Sequence, residues 1–131
     1  MVISVSLKKE YVPTWMNNNE SEKPFKVLHR APTMGLYEEL IPKPKIKMRV
    51  DKDGANGGET EMTVDTTNIV KRMVIEIVDL TLNLDDGSQM VIKNVDDLFG
   101  KDAPAMLSGL TEELGRYLQE LLTTRGVNSK N

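Results

Sequence analysis

The chain has 131 residues, a formal net charge of −3 and no cysteine. That length suits one domain with its own core, and the missing cysteines exclude disulfide scaffolds, thiolate zinc sites and cysteine nucleophiles, as fits a reducing compartment. No apolar run approaches a membrane span, and Val2 to Leu7, broken by serines, is too short for the apolar core of a signal peptide, so a soluble cytoplasmic protein is expected.

Taken in order, Ile3, Val5 and Leu7 alternate with Ser4, Ser6 and Lys8, which predicts a half-buried strand. Tyr11-Val12-Pro13-Thr14-Trp15 ends it, because Pro13 has no N–H for a ladder. Trp15, the only tryptophan, is expected to close one end of the core rather than to stack on a ligand. Asn17 to Lys23 reads as a loop. Phe25 to Ala31 then reads as a second strand, with Phe25, Val27 and His29 sharing a face.

Thr33 is placed to cap a short helix whose apolar side is Leu36, Tyr37 and Leu40, and Pro42 and Pro44 stop it. Lys45 to Val50 alternates cleanly, with Ile46, Met48 and Val50 inward and Lys45, Lys47 and Arg49 outward; Lys43 extends the basic row. Asp51 to Glu61, holding Gly54, Gly57 and Gly58, reads as a flexible surface loop. The central stretch, Thr66 to Ile92, follows. Ile69, Val70, Met73, Val74 and Ile77 form a helical stripe with Asp65 or Thr66 as cap, although Met73, Ile75 and Ile77 also alternate as a strand would.

After Asp79 the period is two. A two-residue Asp86-Gly87 turn would set Leu82 opposite Val91 and scramble the faces of the hairpin. A three-residue loop, Asp85 to Gly87 with Gly87 left-handed, instead pairs Leu82 with Met90 and Leu80 with Ile92. Asn94 or Asp96 should begin a short helix carrying Val95, Leu98 and Phe99, closed by Gly100. From Pro104 onward Met106, Leu107, Leu110, Leu114, Leu118, Leu121 and Leu122 recur at helical spacing up to Gly126. The fold class expected is therefore α+β: a small antiparallel sheet with a central amphipathic helix, a hairpin and a C-terminal helix. Its parts are a strand-rich basic section (1–50), the loop 51–61, an acidic helix-hairpin-helix section (62–126) and a tail (127–131).

Charge is uneven. Residues 1–52 hold ten Lys/Arg against six Asp/Glu, and residues 53–131 hold seven against fourteen, giving halves of +4 and −7. Eight methionines are present, and scattered core filling is their expected use, with an adaptable binding surface as the alternative.

Chemistry is sparse in this sequence. His29 is the only histidine, which excludes a histidine metal cluster, and no phosphate-cradling loop or nucleophile elbow occurs. Asp51, Asp53 and Asn56 fail the calcium-loop spacing, because Met62 stands where a bidentate acid is needed. The acid pairs Glu38-Glu39, Asp85-Asp86, Asp96-Asp97 and Glu112-Glu113 are sequence neighbours whose side chains diverge. No catalytic, metal or cofactor residue is assigned, and no enzyme is expected. Lys43, Lys45, Lys47 and Arg49 form a candidate basic patch for phosphates, but no aromatic residue interleaves for base stacking.

With these residues placed, the order of elements resembles the small tail assembly chaperones of long-tailed bacteriophages and related prophages. The matching features are an N-terminal strand, the pattern of Tyr11, Pro13 and Trp15, a strand leading to Pro32-Thr33, and the acidic helix Glu38-Glu39-Leu40. A helix flowing into a strand, the step Val95-Asp96-Asp97-Leu98 and the helix Leu110 to Leu122 complete it. Asp51 to Glu61 departs from the pattern as an insertion, as does the polar run after Trp15. The resemblance implies a non-enzymatic protein of the host cytoplasm that binds the tape-measure protein, keeps its apolar helices soluble and recruits tail-tube subunits.

Its partner-binding residues are then expected to be Leu107, Leu110, Leu114, Leu118 and Leu121, on a helix that either completes the core or is lent to a partner. Self-association is also compatible. The other readings are a structural subunit of a phage tail, connector or baseplate, and a nucleic-acid-binding accessory protein.

Overall fold

The computed structural model describes residues 1–42, 45–50, 56–61 and 64–124, the two middle segments by their backbone. In Lys26–Arg30 (β2) the alternation predicted from sequence holds, and Val27 and His29 are fully buried. β2 is the middle strand of a three-stranded antiparallel sheet. On one side lies Lys8–Tyr11 (β1), with Tyr11 opposite Val27, and on the other Val74–Val78 (β5), with Ile77 opposite Val27. The 3₁₀ segment Trp15–Glu20 joins β1 to β2. Its Asn18 is buried and ties the connection together, donating from Nδ2 to the carbonyls of Pro13 (2.9 Å) and Phe25 (3.0 Å) and accepting from the Phe25 N–H (2.9 Å).

Two differences from the sequence reading concern where strands begin. The N-terminal strand covers Lys8–Tyr11 rather than Val2 to Leu7, and the residues before it are exposed. Within the central stretch, the helix Thr66–Met73 (α2) stops four residues short of Ile77. Val74–Val78 is β-branched at four of its five positions, and pairing with β2 selects the strand period over the helical one that the same residues also satisfy. Asp65 caps α2 by accepting from the Asn68 N–H at 3.1 Å.

Met34–Leu40 (α1) is capped as expected, Thr33 Oγ1 accepting from the Leu36 N–H at 3.1 Å. Lys45–Val50 (β3) pairs antiparallel with Asn56–Glu61 (β4), so the second half of the expected loop is strand. Backbone ladders need no apolar side chain, which is how Gly57 and Gly58 can sit in one. Residues 51–55, Lys43 and the inward or outward facing of the β3 side chains lie outside the described residues.

Leu80–Asn83 (β6) and Gln89–Ile92 (β7) form the hairpin in the register derived from sequence, Leu80 opposite Ile92 and Leu82 opposite Met90. Gly87 is left-handed at φ 86°, and the Leu84 N–H donates to Ser88 O to close the three-residue loop. Val95–Phe99 (α3) opens with a reciprocal cap between Asn94 and Asp97.

The C-terminal helix Leu107–Thr123 (α4) lies against α2. Its two glycines explain themselves by contact. A Cβ on Gly115 would come within 2.9 Å of Thr66 Cβ, and one on Gly109 within 3.0 Å of Trp15 Nε1. Glycine's low helix propensity is here exchanged for close approach of α2 and of the indole. Trp15 meets Phe25 edge-on at 6.2 Å, closing that end of the core. The end of α4 expected at Gly126, and the tail, lie outside the described residues. One buried cluster joins Phe25 and Val27 to Ile69, Val70 and Met73 of α2, Ile77 of β5, Leu98 of α3 and the leucines of α4. The fold is α+β, and its core draws on both the basic and the acidic section.

Candidate protein-binding surface

The leucines expected to meet a partner are turned inward. Leu107, Leu110, Leu114 and Leu118 are at most 1% exposed, as is Leu122, and of the five candidates only Leu121 is partly open. Helical spacing places them on one face of α4, and α2 of the same chain covers that face. Complete burial of each such side chain contributes on the order of 1.5–3 kcal/mol. In this fold the helix completes the core, and a partner would reach these four leucines only if α4 left it.

The basic row is also answered within the chain. The β3–β4 register sets Lys45 opposite Glu61 and Lys47 opposite Glu59, while Arg49 faces Gly57. Two of the three described cationic positions thus have an acidic position as their register partner.

A polar cluster ties β1 to α4. Glu113 accepts from the Tyr11 hydroxyl (2.6 Å), the Thr14 N–H (2.7 Å) and the Thr14 hydroxyl (3.2 Å). Tyr11 stacks on Tyr117 with ring centres 3.8 Å apart. Burial, and then the hydrogen bond to Glu113, push the Tyr11 phenol well above its usual range.

His29 has a defined tautomer. Arg30 O can only accept, so Nδ1–H donates to it (2.9 Å), and Nε2 must accept from the Tyr117 hydroxyl (3.0 Å). Burial lowers the pKa of His29, helped by the charge of Lys9 and opposed by the bond to Arg30 O. Every group in this cluster already has a partner. An open pocket of about 380 Å³ adjoins it, lined by Tyr11, Thr14, Glu113, Arg116, Tyr117 and Glu120, yet neither the imidazole nor the carboxylate is free to take a proton from a substrate there. The arrangement fastens the first strand to the last helix. Among the described residues no group of three or more His, Asp or Glu is placed to hold a metal ion, and no helix is long and apolar enough to cross a membrane.

The described surface also displays apolar side chains. Of the methionines whose side chains are described, Met1, Met16, Met34 and Met106 are exposed, Met90 is partly buried, and Met73 alone lies in the core. Core filling, the use expected from sequence, therefore holds for few of them. Met16 follows Trp15 with a left-handed φ of 55°, and Met106 lies one turn before Gly109, the glycine on which Trp15 rests. Each methionine is thus close in sequence to one partner of the Trp15–Gly109 contact. Hydrophobicity alone gave no sign of this, because a methionine in a core and one on a surface read alike; the left-handed backbone at Met16 and Asn17 is the structural feature that sets the first apart.

Comparisons with protein families, with curated proteins and with solved structures find no match to this chain.

Proposed function

We propose that this chain is a non-enzymatic assembly chaperone of the kind that serves phage tails, holding the apolar helices of a tape-measure protein and bringing tail-tube subunits to them. One observation supports the reading above others: Met16, Met34 and Met106 are exposed, at 68%, 78% and 47%, and offer thioethers to an apolar partner. An unbranched thioether fits irregular apolar surfaces at small conformational cost, which suits a protein that must grip many turns of a long helix. The order of elements described for the sequence supplies the finer identity. Met16 and Met106 beside Trp15 are the surface on which an incoming helix would lay its apolar stripe.

The test is co-expression with a helical tape-measure segment encoded beside this chain. The two should co-purify, and the double variant Met16→Glu with Met106→Glu should reduce recovery of the segment by about tenfold or more while circular dichroism and melting temperature stay unchanged. Undiminished recovery by the folded double variant would overturn the assignment of this surface. Finished particles should lack the chain; stoichiometric presence there would favour a structural subunit instead.

A further inference from the structure

We infer that residues 1–7 form an arm that pairs with the same arm of a second copy, in an antiparallel ladder across a two-fold axis. Met1, Val2, Ile3, Val5 and Leu7 are 67–111% exposed, and among the described residues Met1 to Ser6 make no backbone hydrogen bond. The ladder of the sheet begins only at Leu7, whose carbonyl accepts from the Ala31 N–H at 2.9 Å. Beyond that point β2 offers nothing further, since Pro32 lacks an N–H and the chain then turns into α1. The arm therefore continues an edge strand past the end of its neighbour. In the order β1-β2-β5 no strand among the described residues pairs with the outer side of β1, and a second arm would lie on that side.

The sequence of the arm complements itself. With Val5 on the axis, Ile3 meets Leu7 of the other copy and Ser4 meets Ser6, so apolar side chains fall together on one face and hydroxyls on the other. Ile3, Val5 and Leu7 share the parity of Tyr11, which faces α4, so in a continued strand the apolar face of the arm lies on the core side of the sheet.

Charge selects this register over the obvious competitor. A ladder centred on β1 itself would oppose Lys8 to Lys8 or Lys9 to Lys9, whereas centring on Val5 sets Lys8 against Val2. A partner with a different free strand edge would lack the matching of Ile3 to Leu7.

Sedimentation of the full chain tests this, together with two variants at or beside the axis. Wild type should be a dimer at concentrations of about 100 μM. Leu7 turns its backbone groups to Ala31, so Ser6 turns its own outward, and Ser6→Pro, which removes that N–H, should shift the dimer constant at least about tenfold toward monomer, with unchanged circular dichroism. Val5→Cys, in a chain with no other cysteine, should form an intermolecular disulfide on mild oxidation. A monomeric wild type at that concentration, a Ser6→Pro protein as dimeric as wild type, or a Val5→Cys protein that stays uncrosslinked while dimeric would each overturn the inference. Helix capture through Met16 and Met106 is read separately by co-purification.

Discussion

The C-terminal helix and the N-terminal arm are the two most regularly apolar segments of the chain, and their fates are opposite. α4 repeats leucine every three or four residues and packs chiefly on α2, with α1, α3 and the 3₁₀ segment also against it. The arm repeats Ile3, Val5 and Leu7 every second residue and has no strand of its own chain beside Met1 to Ser6 among the described residues. Periodic apolarity states that a face wants covering. Whether the cover lies in the same molecule depends on topology, here on β2 ending at Arg30 just before Pro32.

The sharpest way to test that contrast is to truncate one side chain on each segment. Leu118→Ala should lower unfolding free energy by about 2–5 kcal/mol, as large-to-small changes in packed cores do. Ile3→Ala, measured at high dilution, should stay within about 0.5 kcal/mol of wild type. Chemical denaturation reads both, and equal losses would break the comparison. Gly115→Ala comes next. On an open helix face this change stabilises, but here the new methyl meets Thr66 Cβ at 2.9 Å, so a loss of about 1–3 kcal/mol is expected. A gain would show that α2 and α4 are less closely apposed than described.

A smaller effect belongs to His29, which joins β2 to α4 through Tyr117. Its pKa is lower in the folded chain than the 6.5 of an exposed imidazole, so the unfolded chain takes up the proton first as pH falls. Stability contributed by the neutral ring is complete above pH 6.5 and declines as pH drops below it. Thermal melts at pH 7.5 and 5.5 should show a lower midpoint at the acidic value, and His29→Gln should flatten the part of that dependence due to the ring.

Much of this fold was legible from residue order, and the failures share one cause. The β6–β7 register followed from Leu80, Leu82, Met90 and Ile92 alone, because slipping by one residue would turn every apolar side chain to the wrong face. The caps at Thr33, Asp65 and Asn94 were legible too, since each is settled within one turn of chain. What escaped depended on distant partners. Val74 to Val78 satisfies both periods and β2 selects one, β4 forms from a glycine-rich run beside β3, and the alternation of the arm predicts half-burial although no strand among the described residues lies beside Met1 to Ser6. The candidate surface suffered most. The leucines of α4 were the obvious partner-binding stripe by spacing and are the residues most completely used inside, while the exposed methionines carried no periodic signal at all.

α2 passes into β5 at Met73–Val74 with no loop between them. The helix that packs on α4 and the strand that pairs with β2 are thus consecutive in the chain, so one layer cannot come away without pulling directly on the other. Melting of this molecule should therefore proceed in a single cooperative step.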